Sequence, residues 1–207
     1  MIKGIKICGV SDPKTLDFIL NHPHPPKFIG FITNYEKSKR FIEYKKLKKL
    51  ISVERKQVNF TSVLVKPADE ILEKIKNLNF DYYQLYDASP ERTKEIKFKY
   101  KIKIITAITI SNRNDVNIYK HYVDISDIIL FDSKGYHKSE SFNHNLLNGV
   151  PKELNKMIAG NIQIDDIPNL KNKDFIIDLS GTLEDKKGKK DINRINKLLN
   201  LSSKYET

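Results

Sequence analysis

Two side chains in this sequence stand where they could move protons during a reaction. Cys8, the single cysteine among 207 residues, ends an apolar run that begins at Gly4, and Asp132 follows another run that begins at Ile128. A thiolate and a carboxylic acid on opposite sides of one substrate would act as general base and general acid. Each residue also has a plainer interpretation, because a lone cysteine is often a small buried apolar group and an aspartate after a strand often caps a turn.

Small polar residues follow the last two apolar runs. Gly160 follows the first of these runs, and Ser180, Gly181 and Thr182 follow the second. Bare backbone N–H groups and a helix N-terminus at such positions bind a phosphate dianion, and hydroxyl groups could add further donors. Either stretch alone could be an ordinary turn. Their occurrence in consecutive units favours a phosphate site.

A regular alternation of strand-length and helix-length segments positions these residues. The predicted strands are Gly4–Cys8, Phe28–Ile32, Thr61–Val65, Tyr82–Leu85, Lys103–Ala107, Ile128–Phe131, Lys156–Ala159 and Phe175–Leu179. The predicted helices are Asp12–Asn21, Ile42–Ile51, Ala68–Leu78, Pro90–Tyr100, Asn112–Tyr119, Asn143–Leu147, Asp165–Leu170 and Asp191–Leu199.

Eight such units in 207 residues leave little room for a second domain. The alternation predicts an α/β protein with one (β/α)₈ barrel over residues 1–207, and a doubly wound open sheet is the structural alternative. In a barrel the chemistry lies at the C-terminal ends of the strands. Cys8 and Asp132 both lie there.

Composition narrows the class of protein. The formal charge is +11, which raises nucleic acid as a partner, but lysine is spread over nearly every polar segment, and an anionic small molecule explains the charge as well. A single cysteine excludes an internal disulfide and fits a reducing compartment. We find no leader and no spanning apolar run. We therefore expect a soluble cytoplasmic protein that binds neither nucleic acid nor membrane.

An ordered series of short motifs runs between Gly4 and Leu199. The motifs are KICG at Lys6–Gly9, GF with SKR at Gly30-Phe31 and Ser38–Arg40, QL at Gln84-Leu85, the aspartate Asp132, AG at Ala159-Gly160, and Asp178, Ser180 and Glu184 before GKKD at Gly188–Asp191. In order and spacing this series resembles the phosphoribosylanthranilate isomerases of tryptophan biosynthesis.

The resemblance implies a barrel of the ribulose-phosphate-binding type, without cofactor or metal, that performs an Amadori rearrangement. N-(5-phosphoribosyl)anthranilate, an aminoaldose, would become the aminoketose 1-(2-carboxyphenylamino)-1-deoxyribulose 5-phosphate. Asp132 would protonate the furanose ring oxygen, and Cys8 would take the proton from C2 of the sugar. The family contains monomers and homodimers, so both assemblies stay open.

The same resemblance implies the substrate contacts. Arg40 matches the arginine that holds the anthranilate carboxylate, and Asp178 matches a carboxylate that contacts the substrate. Gly160, Ser180 and Gly181 match the phosphate cradle.

The sequence departs from the family pattern in its loops. Tyr86 stands where a histidine is usual, and it keeps a hydrogen-bonding group at a substrate-binding position. Asn161 replaces a phosphate-loop glycine, and asparagine tolerates a positive φ better than most residues. The glycine of the eighth loop is displaced by one, giving Ser180-Gly181-Thr182. The loop Ser139–His144 has also exchanged charged residues, which places substrate affinity in question.

Two rival functions remain at this point. One is isomerisation of another phosphorylated aminoaldose, although that histidine-pathway family typically has an aspartate where this chain has Cys8. The other is a basic barrel that binds a polyanion and has lost catalysis, whose binding would weaken steeply with salt.

Overall fold

The eight strands form a closed parallel barrel in the computed structural model, which describes residues 1–133, 141–170 and 174–206. Each strand pairs with its neighbours in sequence, and the last strand pairs with the first. The strands are β1 (Gly4–Cys8), β2 (Phe28–Ile32), β3 (Asn59–Val65), β4 (Tyr82–Tyr86), β5 (Lys103–Ile110), β6 (Ile128–Ser133), β7 (Lys156–Ile158) and β8 (Ile176–Leu179). The predicted barrel is confirmed, and the open sheet is excluded.

Helices cover the outside of the barrel. They are α1 (Pro13–Leu20), α2 (Tyr44–Leu50), α3 (Asp69–Ile75), α4 (Pro90–Tyr100), α5 (Arg113–Asn117), α6 (Ile167–Leu170) and α7 (Ile192–Ser202), with 3₁₀ helices at Ile118–His121, His144–Leu147, Ile164–Asp166 and Gly181–Leu183. Within the described ranges, no helix has the length and apolar character that a bilayer-spanning segment requires.

The structure differs from the predicted helices mainly in three short units. The segment predicted at Asn143–Leu147 is a single 3₁₀ turn, and those predicted at Asn112–Tyr119 and Asp165–Leu170 are each divided between α and 3₁₀ geometry. These segments are rich in Asn and Asp, which compete with helical hydrogen bonds through their own side chains and favour caps and turns. Asn112 does this by capping α5 with a reciprocal capping box.

Strands β4 and β6 extend further than the sequence predicted. Pairing of Tyr86 with Ala107 and of Asp132 with Thr109 continues the parallel ladder on both sides of β5. Both residues are therefore strand residues. Since side chains alternate between the two faces of a strand, this placement turns both of them toward the barrel interior.

Two apolar clusters hold the fold together. The larger lies between the strands and the helices and includes Ile5, Ile7 and Phe60. The smaller fills the barrel interior and includes Met157 and Cys8. Strict alternation along each strand produces this division, because residues two apart share a face. The interior cluster forms an apolar floor beneath the C-terminal ends of the strands.

Matched phenylalanine substitutions test the outer cluster. Phe60 on β3 is 0% exposed and Phe98 on α4 is 66% exposed. We expect Phe60→Ala to lower the free energy of unfolding by about 3–5 kcal/mol, because it leaves a cavity in a packed layer. Phe98→Ala should change it by less than about 0.5 kcal/mol. Urea denaturation followed by circular dichroism measures both, and equal losses would contradict the described packing.

Candidate active site

One cavity at the C-terminal ends of the strands brings together all nine residues that the sequence singled out. They are Cys8, Arg40, Tyr86, Asp132, Gly160, Asn161, Asp178, Ser180 and Gly181. Barrel closure places β8 beside β1 and β6 across from them, so residues distant in sequence meet here. The predicted juxtaposition of Cys8 and Asp132 in one site is therefore a feature of the structure.

A buried ion pair joins β1 to β8 at the floor of this cavity. Lys6 is fully buried, and its Nζ donates to Asp178 Oδ2 at 2.7 Å. The two residues are register partners in the parallel ladder. Burial lowers the pKa of Lys6, but the attraction of Asp178 and Cys8 outweighs burial and leaves that pKa raised. Lys6 is therefore an ammonium ion inside the barrel.

Asp178 presents its second oxygen without a protein partner. Its Oδ1 is buried and accepts no hydrogen bond from any described residue. A buried carboxylate oxygen without a donor carries a substantial desolvation penalty. Because Asp178 lines the cavity, a hydroxyl group of a bound molecule would remove that penalty.

The Cys8 thiol lies at the end of β1 and is 8% exposed. Burial raises the pKa of this thiol above its ordinary value, and Lys6 is the strongest of the groups that oppose the increase. Lys190 opposes it more weakly, whereas the negative charge of Asp178 adds to it. The free protein therefore holds Cys8 mostly as a thiol at neutral pH, with a cation beside it to stabilise the thiolate.

Asp132 accepts hydrogen bonds on both of its oxygens. The backbone N–H of Ser133 donates to Oδ1 at 2.8 Å, and the Tyr86 hydroxyl donates to Oδ2 at 2.8 Å. Burial raises the pKa of the Asp132 carboxyl, and the hydrogen bond from Tyr86 opposes that shift without cancelling it. The carboxyl group consequently keeps its proton to a higher pH than an exposed aspartate would, as a general acid requires.

Tyr86 is itself held by a residue of the same strand. Gln84 Nε2 donates to the Tyr86 hydroxyl at 3.3 Å. Burial raises the pKa of Tyr86 well above its ordinary value, so the phenol stays neutral and remains a donor. The sequence predicted a substrate-binding role for Tyr86. In the structure the Tyr86 hydroxyl donates a hydrogen bond to Asp132, the candidate acid.

Arg40 reaches the cavity from the segment between β2 and α2, and Glu184 holds it there. The guanidinium makes a two-pronged ion pair with Glu184, in which Nη2 donates to Oε2 at 2.9 Å and Nε donates to Oε1. Lys190 donates to the same Oε1 at 2.9 Å. Burial raises the pKa of the Glu184 carboxyl, but Arg40 and Lys190 reverse the shift and leave the pKa lowered. Glu184 is thus an anion that fixes the planar cation at the cavity wall.

The phosphate-binding candidates occupy the side of the cavity formed by β7 and β8. Gly160 and Asn161 have φ values of 91° and 53°. A Cβ on Gly160 would lie 3.0 Å from Phe142 Cδ1, so any other residue at this position would have to displace that ring and adopt a strained positive φ. Asn161 adopts the left-handed conformation that the sequence analysis required of it.

The hydroxyl groups on this side hydrogen-bond within the loops. Ser180 Oγ donates to the Cys8 carbonyl oxygen at 3.0 Å, and Thr182 Oγ1 donates to the Ile162 carbonyl oxygen at 2.7 Å. Both contacts help to fix the loop geometry around the cavity.

Three charged residues in the quoted motifs had no individual role in the sequence analysis, and the structure gives them one. Lys6 pairs with Asp178, Glu184 pairs with Arg40, and Lys190 pairs with Glu184. Lys6 had a detectable signal, because a lysine two residues before Cys8 on one strand must share its face. In the loop Ser139–His144, residues Ser139 and Glu140 lie outside the described residues. Across the described ranges, no group of three or more His, Cys, Asp or Glu side chains could hold a metal ion.

Comparison with known proteins agrees with this geometry. A sequence model described as N-(5'-phosphoribosyl)anthranilate (PRA) isomerase matches residues 5–201. The chain belongs to this family. The N-(5'-phosphoribosyl)anthranilate isomerase of Rhizobium leguminosarum bv. trifolii is 31% identical over 203 residues, which cover 93% of this chain and 90% of that protein. As a member of an isomerase family, the chain is an enzyme.

Solved phosphoribosyl anthranilate isomerases share the fold. The crystal structure of the Thermotoga maritima protein superposes with a TM-score of 0.86 at 22% identity and covers 99% of this chain and 100% of that chain. A crystal structure of the isomerase in complex with reduced 1-(o-carboxyphenylamino)-1-deoxyribulose 5-phosphate superposes with a TM-score of 0.83 at 21% identity, with 99% and 100% covered. At these identities the structures establish the common barrel.

The hydrogen bond from Tyr86 to Asp132 is testable in the absence of substrate. The Tyr86→Phe substitution removes a donor that favours the ionised carboxylate, so we expect the pKa of Asp132 to rise further. Tyr83→Phe is the matched control, because Tyr83 lies on the same strand but belongs to the outer cluster. The ¹³C chemical shift of the Asp132 carboxyl, followed through a pH titration, measures the change. An unchanged pKa in Tyr86→Phe would mean that the phenol does not act on the acid.

Proposed function

We propose that this chain converts N-(5'-phosphoribosyl)anthranilate to 1-(2-carboxyphenylamino)-1-deoxyribulose 5-phosphate, with Asp132 as general acid and Cys8 as general base. The observation that carries the proposal is that one cavity, in a chain of this family, contains both groups together with a fixed arginine and a turn with two positive φ angles. The reaction is an isomerisation, so no atoms are gained or lost.

The first step opens the sugar ring. Asp132 gives its proton to the furanose ring oxygen while the lone pair of the anilino nitrogen forms a double bond to C1. The bond between C1 and the ring oxygen breaks, which leaves a protonated Schiff base and a free hydroxyl group. The raised pKa of Asp132 supports this role, because the group must hold a proton before it can donate one. The donors Tyr86 and Ser133 then stabilise the carboxylate that remains.

The second step moves hydrogen from C2 of the sugar. The Cys8 thiolate removes the C2 proton, the electron pair of the broken C2–H bond forms a C1–C2 double bond, and the π pair of the C1–nitrogen bond returns to nitrogen to give an enolamine. This intermediate tautomerises to the ketone. The thiolate is the active form, since the sulfur of a protonated thiol is too weakly basic to take a proton from carbon. Lys6 beside Cys8 supports formation of the thiolate in this buried position.

The other cavity residues account for recognition. Arg40 is a planar cation held at the wall, and its guanidinium suits the anthranilate carboxylate. The unpartnered Oδ1 of Asp178 would accept a hydrogen bond from a sugar hydroxyl. The backbone at Gly160 and Asn161, together with Ser180 and Gly181, would receive the phosphate.

Removal of either proposed proton-transfer group tests the assignment. We expect Cys8→Ala and Asp132→Asn each to lower kcat by about 100- to 10,000-fold, the usual contribution of one general acid or base. The decay in fluorescence of freshly prepared phosphoribosylanthranilate measures turnover. Asp124→Asn is the control, since Asp124 is exposed. Either of the first two variants, folded by circular dichroism and retaining the full rate, would contradict its assigned role.

Two substitutions at Asn161 test the phosphate turn. Asn161→Gly keeps the positive φ without strain, so we expect KM to stay the same or to fall. Asn161→Val places a β-branched side chain in the left-handed region at a cost of about 1–3 kcal/mol, so KM should rise on the order of tenfold. The inhibition constant of inorganic phosphate should follow KM in both variants. Unchanged constants in Asn161→Val would separate this turn from phosphate binding.

A further inference from the structure

We propose that Lys6 is a positioning residue for the reaction, whose ammonium group, fixed by Asp178 under the cavity, stabilises the Cys8 thiolate. This inference rests on the proposed function, because it assigns Cys8 the role of base. It also goes beyond that function, because it explains how the buried Cys8 thiol is converted to the thiolate.

Strand geometry places the ammonium beneath the thiol. Lys6 and Cys8 are two residues apart on β1, so both side chains enter the barrel, one above the other. Gly30 on the neighbouring strand β2 lies beside the ends of both side chains. A Cβ on Gly30 would lie 2.9 Å from Cys8 Sγ and 3.2 Å from Lys6 Nζ. Both polar ends therefore occupy the space that the missing side chain leaves open.

Stability does not explain a lysine at this position. Lys6 is 0% exposed, and burial of an ammonium ion costs several kcal/mol even when it is paired. Apolar residues of similar volume often replace a buried ion pair at no cost, or with a gain in stability. Apolar residues, including Met157 and Ile105, form the interior cluster around the pair, and the other buried polar side chains of the interior, such as Gln84 and Thr61, are uncharged. The ion pair therefore calls for a chemical explanation.

Lys6 is the cation with the strongest effect on the thiol. The charged and titratable groups around Cys8 come from five segments: Lys6 on β1, Tyr86 on β4, Asp178 on β8, Arg40 after β2 and Lys190 before α7. Burial raises the pKa of Cys8, and among the groups that lower it Lys6 comes before Lys190. The ammonium of Lys190 is shared with Glu184 and the Ser180 carbonyl oxygen. The Asp178 carboxylate acts in the opposite direction.

The lone cysteine makes the titration of Cys8 directly measurable. Only the thiolate reacts with iodoacetamide, so the alkylation rate against pH reports the midpoint of this one thiol, and Cys8→Ala supplies the blank. The difference in ultraviolet thiolate absorbance between the protein and Cys8→Ala gives the same midpoint without a reagent. Neither measurement needs substrate or turnover.

We expect the two partners of the ion pair to move this midpoint in opposite directions. Lys6→Gln should raise it, because the thiolate loses its cation, and Asp178→Asn should lower it, because the thiolate loses a neighbouring anion. If Lys6 and Asp178 only supported the fold, the two substitutions would not shift the midpoint in opposite directions. Lys6→Arg keeps the charge and should keep the midpoint near that of the unaltered protein.

The double variant Lys6→Gln/Asp178→Asn is a control for misfolding of the single variants, because each single change leaves a buried charged group unpaired. It removes both charges, and its midpoint should lie above that of the unaltered protein and below that of Lys6→Gln. A midpoint that stays unchanged in both Lys6→Gln and the double variant would overturn the inference.

Activity provides a second measurement. We expect kcat/KM of Lys6→Gln to fall by on the order of tenfold or more near neutral pH, one pKa unit corresponding to a tenfold change in the thiolate fraction. The deficit should shrink as the pH rises past the higher midpoint of Lys6→Gln, because both proteins then hold Cys8 as thiolate. A constant deficit at every pH would overturn the inference. Full activity of Cys8→Ala would instead overturn the proposed function, which distinguishes the two failures.

Discussion

The buried pair between Lys6 and Asp178 is the constraint on which the site depends. An ammonium ion inside a barrel needs a partner, and closure of the sheet with β8 against β1 supplies Asp178. That closure also sets Cys8 above Lys6. The register of β8 against β1 therefore both closes the barrel and forms the ion pair.

Burial shifts the pKa values of both proposed proton-transfer groups in the same direction, with different chemical consequences. It raises the pKa of Asp132, which preserves the protonated form that the acid needs, and it raises the pKa of Cys8, which works against the thiolate. The neighbours of each group differ accordingly. Asp132 has the neutral donor Tyr86, whereas Cys8 has the cation Lys6. The active enzyme needs a protonated acid and a deprotonated base at the same time. If the pKa of the acid is lower than the pKa of the base, the fraction of enzyme in this form falls as the difference between the two pKa values grows. A cation beside the thiol lowers the pKa of the thiol and so reduces this difference.

The loops that depart from the family pattern retain workable local geometry. Tyr86 replaces a histidine and places a hydroxyl donor on Asp132, and Asn161 replaces a glycine and adopts a positive φ of 53°. Each replacement retains the local geometry for a specific physical reason. A phenol with a raised pKa remains neutral and donating, and asparagine tolerates the left-handed region. The eighth loop uses the hydroxyl groups of Ser180 and Thr182 to hold its own geometry.

The sequence by itself determined the eight strands and the barrel, because strand-length apolar runs alternate with helix-length segments, and the order of its motifs pointed to the residues that line the cavity. It was less successful for α5, α6 and the turn after β6, whose short Asn- and Asp-rich segments have weak helical preference and take their form from what they pack against. Only the tertiary structure decided the partners: Tyr86 with Asp132, Arg40 with Glu184 and Lys6 with Asp178 are 46, 144 and 172 residues apart. Such pairs arise from barrel closure, which no local pattern contains.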